Sequence, residues 1–208
     1  GDLAYLAKES RRKLDGAGLD YVKIAASNQL DEHVIKSLIE QKAPIDLFGV
    51  GTSLVIGRPD AALDGVYKLA FAGGKARIKL SENIGKITLP HKKQVYRLKN
   101  SDNTWIGADA VAMENEKTFK NIHNPFESGK SLCVEALEKE ALLEKVMENG
   151  KVLRKKRTLE DISSFRQMRL KKLPEEYKRF QNPHVYKVGI SDKLKNERDK
   201  LIDEFRKE

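Results

Sequence analysis

Cysteine is almost missing from this sequence: Cys133 stands alone in 208 residues. A single thiol cannot close an internal disulfide and leaves no metal-binding cysteine spacing, so a reducing, cytoplasmic setting is expected. Cys133 lies in an apolar stretch without a nearby His and reads as a buried thiol rather than a nucleophile. Long hydrophobic runs are missing as well. No apolar stretch nears the ~20 residues that a membrane-spanning helix needs. The opening Gly1-Asp2, followed by an amphipathic segment, does not read as a secretory signal. There is no internal repeat and no low-complexity tract. What is present is the composition of a globular protein: 39% hydrophobic residues, enough for a core in one large domain or two small ones.

The net charge of +9 raises the possibility of an anionic partner. Its placement weakens that reading, because residues 151–208 hold 18 Lys/Arg against 10 Asp/Glu and so carry nearly all of the excess. The segment is helical in pattern and mixed in sign. Its aromatics, Phe165, Tyr177, Phe180, Tyr186 and Phe205, fit apolar helix faces better than a base-stacking surface. Arg154-Lys155-Lys156-Arg157 follows Glu148-Asn149-Gly150, a hairpin-turn pattern, and reads as a solvated strand end. A basic nucleic-acid-binding module stays as an alternative, with no nucleic acid as the main expectation.

Local patterns set the fold class. Leu3, Leu6, Ala7 and Leu14 predict a helix that stops at Gly16-Ala17-Gly18. Residues 21–26 predict a short buried strand. Asp31 is placed to cap a helix with Val34, Ile35, Leu38 and Ile39 on its apolar face, although Ser27-Asn28 could cap it instead. Ile45 to Phe48 predicts the next strand. Helix, strand, helix, strand is α/β logic with a parallel sheet. Beyond residue 60, residues 66–71, 76–80, 86–90 and 94–98 predict short antiparallel strands, with 105–113 and 131–136 as further ones. Thr158 to Asp161 matches a capping box, opening a helix whose buried face would be Ile162, Phe165 and Met168. Further helical stretches are expected from Pro174 and over 193–207.

The sharpest chemical feature is Asp46-Leu47-Phe48-Gly49-Val50-Gly51-Thr52-Ser53-Leu54. A strand ends in two glycines one residue apart, then two hydroxyl residues. Glycine lets a ligand approach the backbone, successive N–H groups can converge on one anion, and Thr52 and Ser53 can add hydroxyl donors. Taken alone, such a turn is more often only a turn.

This stretch resembles the FGVGT loop of nicotinate phosphoribosyltransferases, and other segments follow in the family's order. Gly1 to Leu6 looks like the end of an Arg-x-Asp-Ser-Gly-Asp signature and the helix after it. Lys23 to Glu32 is similar to KIxxSNxLDE, Gly65 to Leu69 to GVYKL, Arg77 to Asn83 to RIKLSE, Lys93 to Arg97 to KQVYR, and Asn182 to Tyr186 to NPHxY. The resemblance implies the C-terminal part of a type II phosphoribosyltransferase. Residues 1–75 would form the second half of an irregular α/β barrel, 76–115 a β-rich segment packing on an N-terminal domain, and 116–208 a C-terminal α/β to helical region. It implies an enzyme that condenses nicotinate with phosphoribosyl pyrophosphate, with ATP hydrolysis and Mg²⁺, and works as a homodimer. The same resemblance implies that Gly51 and Thr52, within the Gly49–Ser53 turn, hold the 5-phosphate. It places Ser27 and Asn28 near the ribose, and Asp2 at the edge of the loop facing nicotinate and diphosphate.

The family's Arg and first Asp would precede Gly1, and His33, His91, His123 and His184 do not match its phosphorylated histidine. The expectation is therefore a piece of a longer enzyme, inactive alone, with no catalytic or metal-ligating residue of its own. A nicotinamide-using relative is the rival within the same class.

Overall fold

The computed structural model describes residues 1–57, 60–62, 65–127 and 129–206. It divides into two compact units, Gly1–Val66 and Tyr67–Glu208.

In the first unit, helix α1 (Leu3–Gly16) starts at Asp2, whose Oδ1 accepts from the amides of Ala4 and Tyr5 at 2.9 and 3.0 Å. Strand β1 (Ala25–Ser27), helix α2 (Glu32–Glu40) and strand β2 (Leu47–Gly49) follow. β1 and β2 pair in parallel, Ala25 opposite Leu47 and Ser27 opposite Gly49, as the α/β reading expects. β1 starts later than expected, and within the expected stretch the Val22 carbonyl accepts from Arg11 instead of from a neighbouring strand. Asp31, not Ser27 or Asn28, caps α2, accepting from the Val34 amide at 2.8 Å. Ala4, Ala26, Leu30 and Leu38 form the small core, with Phe48 and Val50 packed against it. A short helical turn, α3 (Thr52–Val55), closes the motif.

The second unit begins with a hairpin, β3 (Phe71–Ala72) and β4 (Lys75–Ala76), turning at Gly73 and Gly74, both at positive φ. The other strands expected between residues 66 and 90 do not form. Ser81 and Asn83 draw nearby amides to their side chains, and Thr88 Oγ1 takes the Lys79 amide, so local side-chain bonds replace a ladder.

The main sheet contains β5 (Lys93–Lys99), β6 (Trp105–Met113), β7 (Asn121–His123), β8 (Ser131–Cys133), β9 (Glu138–Ala141) and, much later in the chain, β12 (Lys187–Ser191). The spatial order is β8-β7-β12-β6-β5-β9. Between β9 and β12 lie the hairpin of β10 (Met147–Glu148) and β11 (Lys151–Val152), turning at Asn149-Gly150 with φ 48° and 75°, and helix α4 (Leu159–Lys171). Helix α5 (Asp192–Arg206) follows β12; Lys207, expected at its end, lies outside the described residues.

One face of β6 offers Ala108, Ala110 and Ala112 to Tyr96, Leu98, Phe119, Ile122 and Val134. The small side chains let the large ones seat close to the strand. β12 runs parallel to β6 and antiparallel to β7, and Gly189 is required there: a Cβ would meet Ile122 Cβ at 2.8 Å. The expected last helix forms as α5, but the strand before it, β12, was not expected and is a central strand of the sheet.

α4 has its predicted capping box, Thr158 with Asp161, but Ile162, Phe165 and Met168 are each about half exposed rather than buried. The helix is tied mainly through its C-terminal end, where the Lys172 carbonyl accepts from Trp105 and Arg169 meets Glu140. After Pro174 there is one 3-10 turn, Glu175–Tyr177, not a longer helix. Cys133 is exposed on an outer strand rather than buried. Among the described residues, no helix is long and apolar enough to cross a membrane.

Candidate functional site: two loops at the ends of parallel strands

Parallel pairing brings two of the expected segments together. Because Ser27 sits opposite Gly49, the loop after β1 and the turn after β2 leave the same end of the sheet. Crevices outside the carboxyl ends of parallel strands are where α/β proteins bind ligands. Asp46 fixes the register: its Oδ2 accepts from the Ile24 amide at 2.7 Å, while its own amide donates to the Ile24 carbonyl at 2.9 Å.

Ser27 Oγ donates to the Gly49 carbonyl at 3.2 Å, leaving the hydroxyl lone pairs to accept. A Cβ on Gly49 would approach Ser27 Oγ to 3.2 Å, so this glycine is dictated by strand contact. Gly51 differs, since a Cβ there would meet nothing within 4 Å and its φ is −106°. The protein's own packing does not explain Gly51. Asn28 follows with φ 83°, a left-handed conformation that Asn tolerates.

The backbone amides decide what the turn can do. The Gly51 carbonyl accepts from Leu54 and Val55, and the Thr52 carbonyl from Ile56. Among the described residues, the amides of Gly51, Thr52 and Ser53 donate to no protein acceptor. Three successive N–H groups are thus available to one anion, beside two hydroxyls. The adjoining cleft of about 340 Å³ contains Val50, Ser53 and Leu54 but also Asp31 and Glu32. Its carboxylates disfavour phosphate, so the amides are the groups of this turn suited to an anion.

Asp2 sits at the start of α1, two residues from Ala4 in the core shared with Ala26. Its Oδ1 is committed to capping, and Oδ2 has no partner among the described residues.

The second unit holds a polar arrangement that sequence reasoning did not single out. Arg97 and Asp109, directly opposite on β5 and β6, make two bonds of 3.0 Å, and the Tyr186 hydroxyl donates to Asp109 at 2.9 Å. The hydrogen bonds to Asp109, the largest effect, together with its charge, outweigh the opposing cost of burial and hold the Arg97 guanidinium charged, above its ordinary value. Burial first, then Asp109, pushes the Tyr186 phenol well above its ordinary value, so it stays a donor. Arg97 and Arg169 stack on Trp105 at 4.2 and 4.5 Å. Tyr177 lies over Gly107 and donates to the Ile106 carbonyl at 3.1 Å. The signals available were Gly107 within a strand and Tyr186 in the NPHxY stretch.

Comparison with known proteins places these features. The family description "Nicotinate phosphoribosyltransferase C-terminal domain" matches residues 92–198. A nicotinate phosphoribosyltransferase of Bacillus subtilis is 37% identical over 201 residues, covering 92% of this chain and 41% of the relative. One from Dictyostelium discoideum is 36% identical, covering 93% and 36%. The crystal structure of human nicotinic acid phosphoribosyltransferase superposes with a TM-score of 0.77 at 25% identity, over 97% of this chain and 39% of that one. The fold is that of the C-terminal part of a phosphoribosyltransferase. The chain belongs to the nicotinate phosphoribosyltransferase family, and it spans about two fifths of the length of the curated relatives it matches.

Proposed function

We propose that this chain anchors the sugar phosphate in an enzyme that condenses nicotinate with phosphoribosyl pyrophosphate. In that reaction the pyridine nitrogen bonds to ribose C1 as the C1–oxygen bond breaks, releasing pyrophosphate and giving nicotinate mononucleotide for NAD synthesis. The single observation that carries the reading is the set of open amides at Gly51, Thr52 and Ser53, in a chain of this family. The N–H groups and the Thr52 and Ser53 hydroxyls hold the 5-phosphate. Ser27, next to Gly49, offers lone pairs to the ribose hydroxyls, and Asn28 its amide. The free oxygen of Asp2 faces the nicotinate and diphosphate side. This is positioning chemistry: it fixes C1 relative to its nucleophile rather than making the bond.

Coupling to ATP hydrolysis, a homodimeric assembly and the inactivity of residues 1–208 by themselves belong to the same proposal. They rest on the family resemblance. Among the described residues no three His, Cys, Asp or Glu side chains converge on one point, so these residues do not fit a resident metal ion. No step here is assigned to Mg²⁺. Neither a nicotinamide-using enzyme nor a nucleic-acid module has a specific observation in its favour.

The test is Gly51→Val and Thr52→Val in the active enzyme. The valine at 51 points into space the protein leaves open, and Thr52→Val removes only the hydroxyl. The KM for phosphoribosyl pyrophosphate should rise roughly tenfold or more, the scale of a lost charge-assisted hydrogen bond, with the KM for nicotinate little changed. An unchanged KM for phosphoribosyl pyrophosphate in both variants overturns the assignment.

A further inference from the structure

The NPHxY stretch has a structural half and an unexplained half. Tyr186 is locked onto Asp109, whereas Asn182 and His184 line a second cleft. This cleft, about 340 Å³, is lined by Glu176, Arg179, Asn182, Pro183, His184 and Val185. All of it lies within the second unit.

The loop is held firmly. The His184 amide donates to the Glu176 carbonyl at 2.9 Å, closing the loop across its neck, and the His184 ring packs edge-on against Tyr177 at 5.1 Å. Tyr177 is itself anchored to the sheet by its hydroxyl and by its fit over Gly107. Asn182 adopts φ 47°, a left-handed conformation more readily accepted by Asn or Asp than by most residues. So the backbone that presents these side chains is pinned at several points.

The side chains themselves are unpaired. Among the described residues, Arg179 makes no hydrogen bond, ion pair or ring contact, the Asn182 amide has no partner, and the His184 ring nitrogens have none. Contrast the neighbouring basic residues: Lys178 is paired with Glu175, and Arg169 with Glu140. A guanidinium offers a planar fork of donors suited to two oxygens of one phosphate, and an amide NH₂ beside it adds two more. Glu176 is the one carboxylate in the lining, which sets a modest affinity rather than a tight one.

We propose that Arg179, Asn182 and His184 form a binding site for the phosphate group of a small molecule, built from residues other than those of the turn at Gly51. Arg179 takes two phosphate oxygens, Asn182 a third, and His184 closes the site from the Tyr177 side.

Equilibrium dialysis of the intact protein against radiolabelled inorganic phosphate tests this, read as the change from wild type in each variant. Arg179→Gln should weaken one class of phosphate sites roughly tenfold. Asn182→Asp, which keeps a residue tolerant of the left-handed backbone and adds a repelling charge, should abolish the same class. Gly51→Val should leave that class intact while removing another. If phosphate binding is lost only in Gly51→Val and is untouched by both Arg179→Gln and Asn182→Asp, the cleft is not a phosphate site and the turn stands. If it is lost in the two cleft variants and kept in Gly51→Val, the cleft stands and the turn falls. Wild-type binding unaffected by all three variants overturns the cleft proposal.

Discussion

The polar network on β5 and β6 and the turn after β2 use polar groups in opposite ways. In the network on β5 and β6, Arg97, Asp109 and Tyr186 are joined by hydrogen bonds, Arg97 stacks on Trp105, and Tyr177 donates to the Ile106 carbonyl. In the turn after β2, three successive amides and two hydroxyls have no protein partner among the described residues. Polar groups that satisfy each other specify one packing; amides at a strand end that no protein group uses are open to a ligand. The difference teaches where to look for stability and where for binding, and it predicts that mutations in the two places separate cleanly.

The sharpest way to break that separation is Gly107→Ala. The new methyl would lie 1.9 Å from Tyr177 Cζ, on a residue with φ 68°, in the stretch where the β5–β6 register shifts. Overpacking and backbone strain together should cost roughly 3 kcal/mol or more in urea unfolding; a change near zero would mean Tyr177 is not seated as described. Asp109→Ala comes next. It strands the Arg97 guanidinium, which is largely buried, and should destabilise by about 3–5 kcal/mol, whereas Tyr186→Phe, which removes one neutral donor, should cost only about 1 kcal/mol. If the two cost the same, the carboxylate is not the hub of the network.

Gly51→Val supplies the contrast from the other unit. Its stability should stay within about 0.5 kcal/mol of wild type while binding of phosphoribosyl pyrophosphate weakens, as thermal melting and binding titration together will show. A large loss of stability would place Gly51 with the structural residues.

The smallest effect is on the acid limb. Burial alone would raise the Asp192 carboxyl, but bonds from the His123 ring, at 2.7 Å, and from the Asn121 amide outweigh it and hold the group below the usual carboxylate range. With the folded value lowered, this contribution is present above the unfolded carboxylate value of about pH 4 and fades as pH falls toward the folded one. Asp192→Asn should therefore flatten stability between neutral and acid pH. An unaltered acid limb would show that the carboxylate carries no proton linkage.

Much of the first unit was legible because its signals are local. Asp31 caps α2 three residues from the amide it serves, and Asp46 to Gly49 reads as a strand into a turn within one short window. The NG turn between β10 and β11 and the Thr158 capping box are likewise local chemistry. The second unit hid its plan because its decisive contacts are distant in sequence. β12 is short, ends against α5 and pairs with β6 some eighty residues earlier, so no window containing Lys187 to Ser191 announces a central strand. The failed strands before residue 90 have the right alternation, but Thr88 takes the Lys79 amide and Ser81 and Asn83 turn the chain between them with side-chain bonds to the Asn83 and Gly85 amides. The apolar spacing of α4 predicts a helix correctly, yet periodicity does not say whether an apolar face is covered.

The most direct test is amide hydrogen exchange at residues 49–53, with and without ribose 5-phosphate. Slower exchange at Gly51, Thr52 and Ser53 on adding the ligand, lost in Gly51→Val, is the predicted result. Exchange at those three amides that ignores the sugar phosphate, while other segments respond, would contradict it.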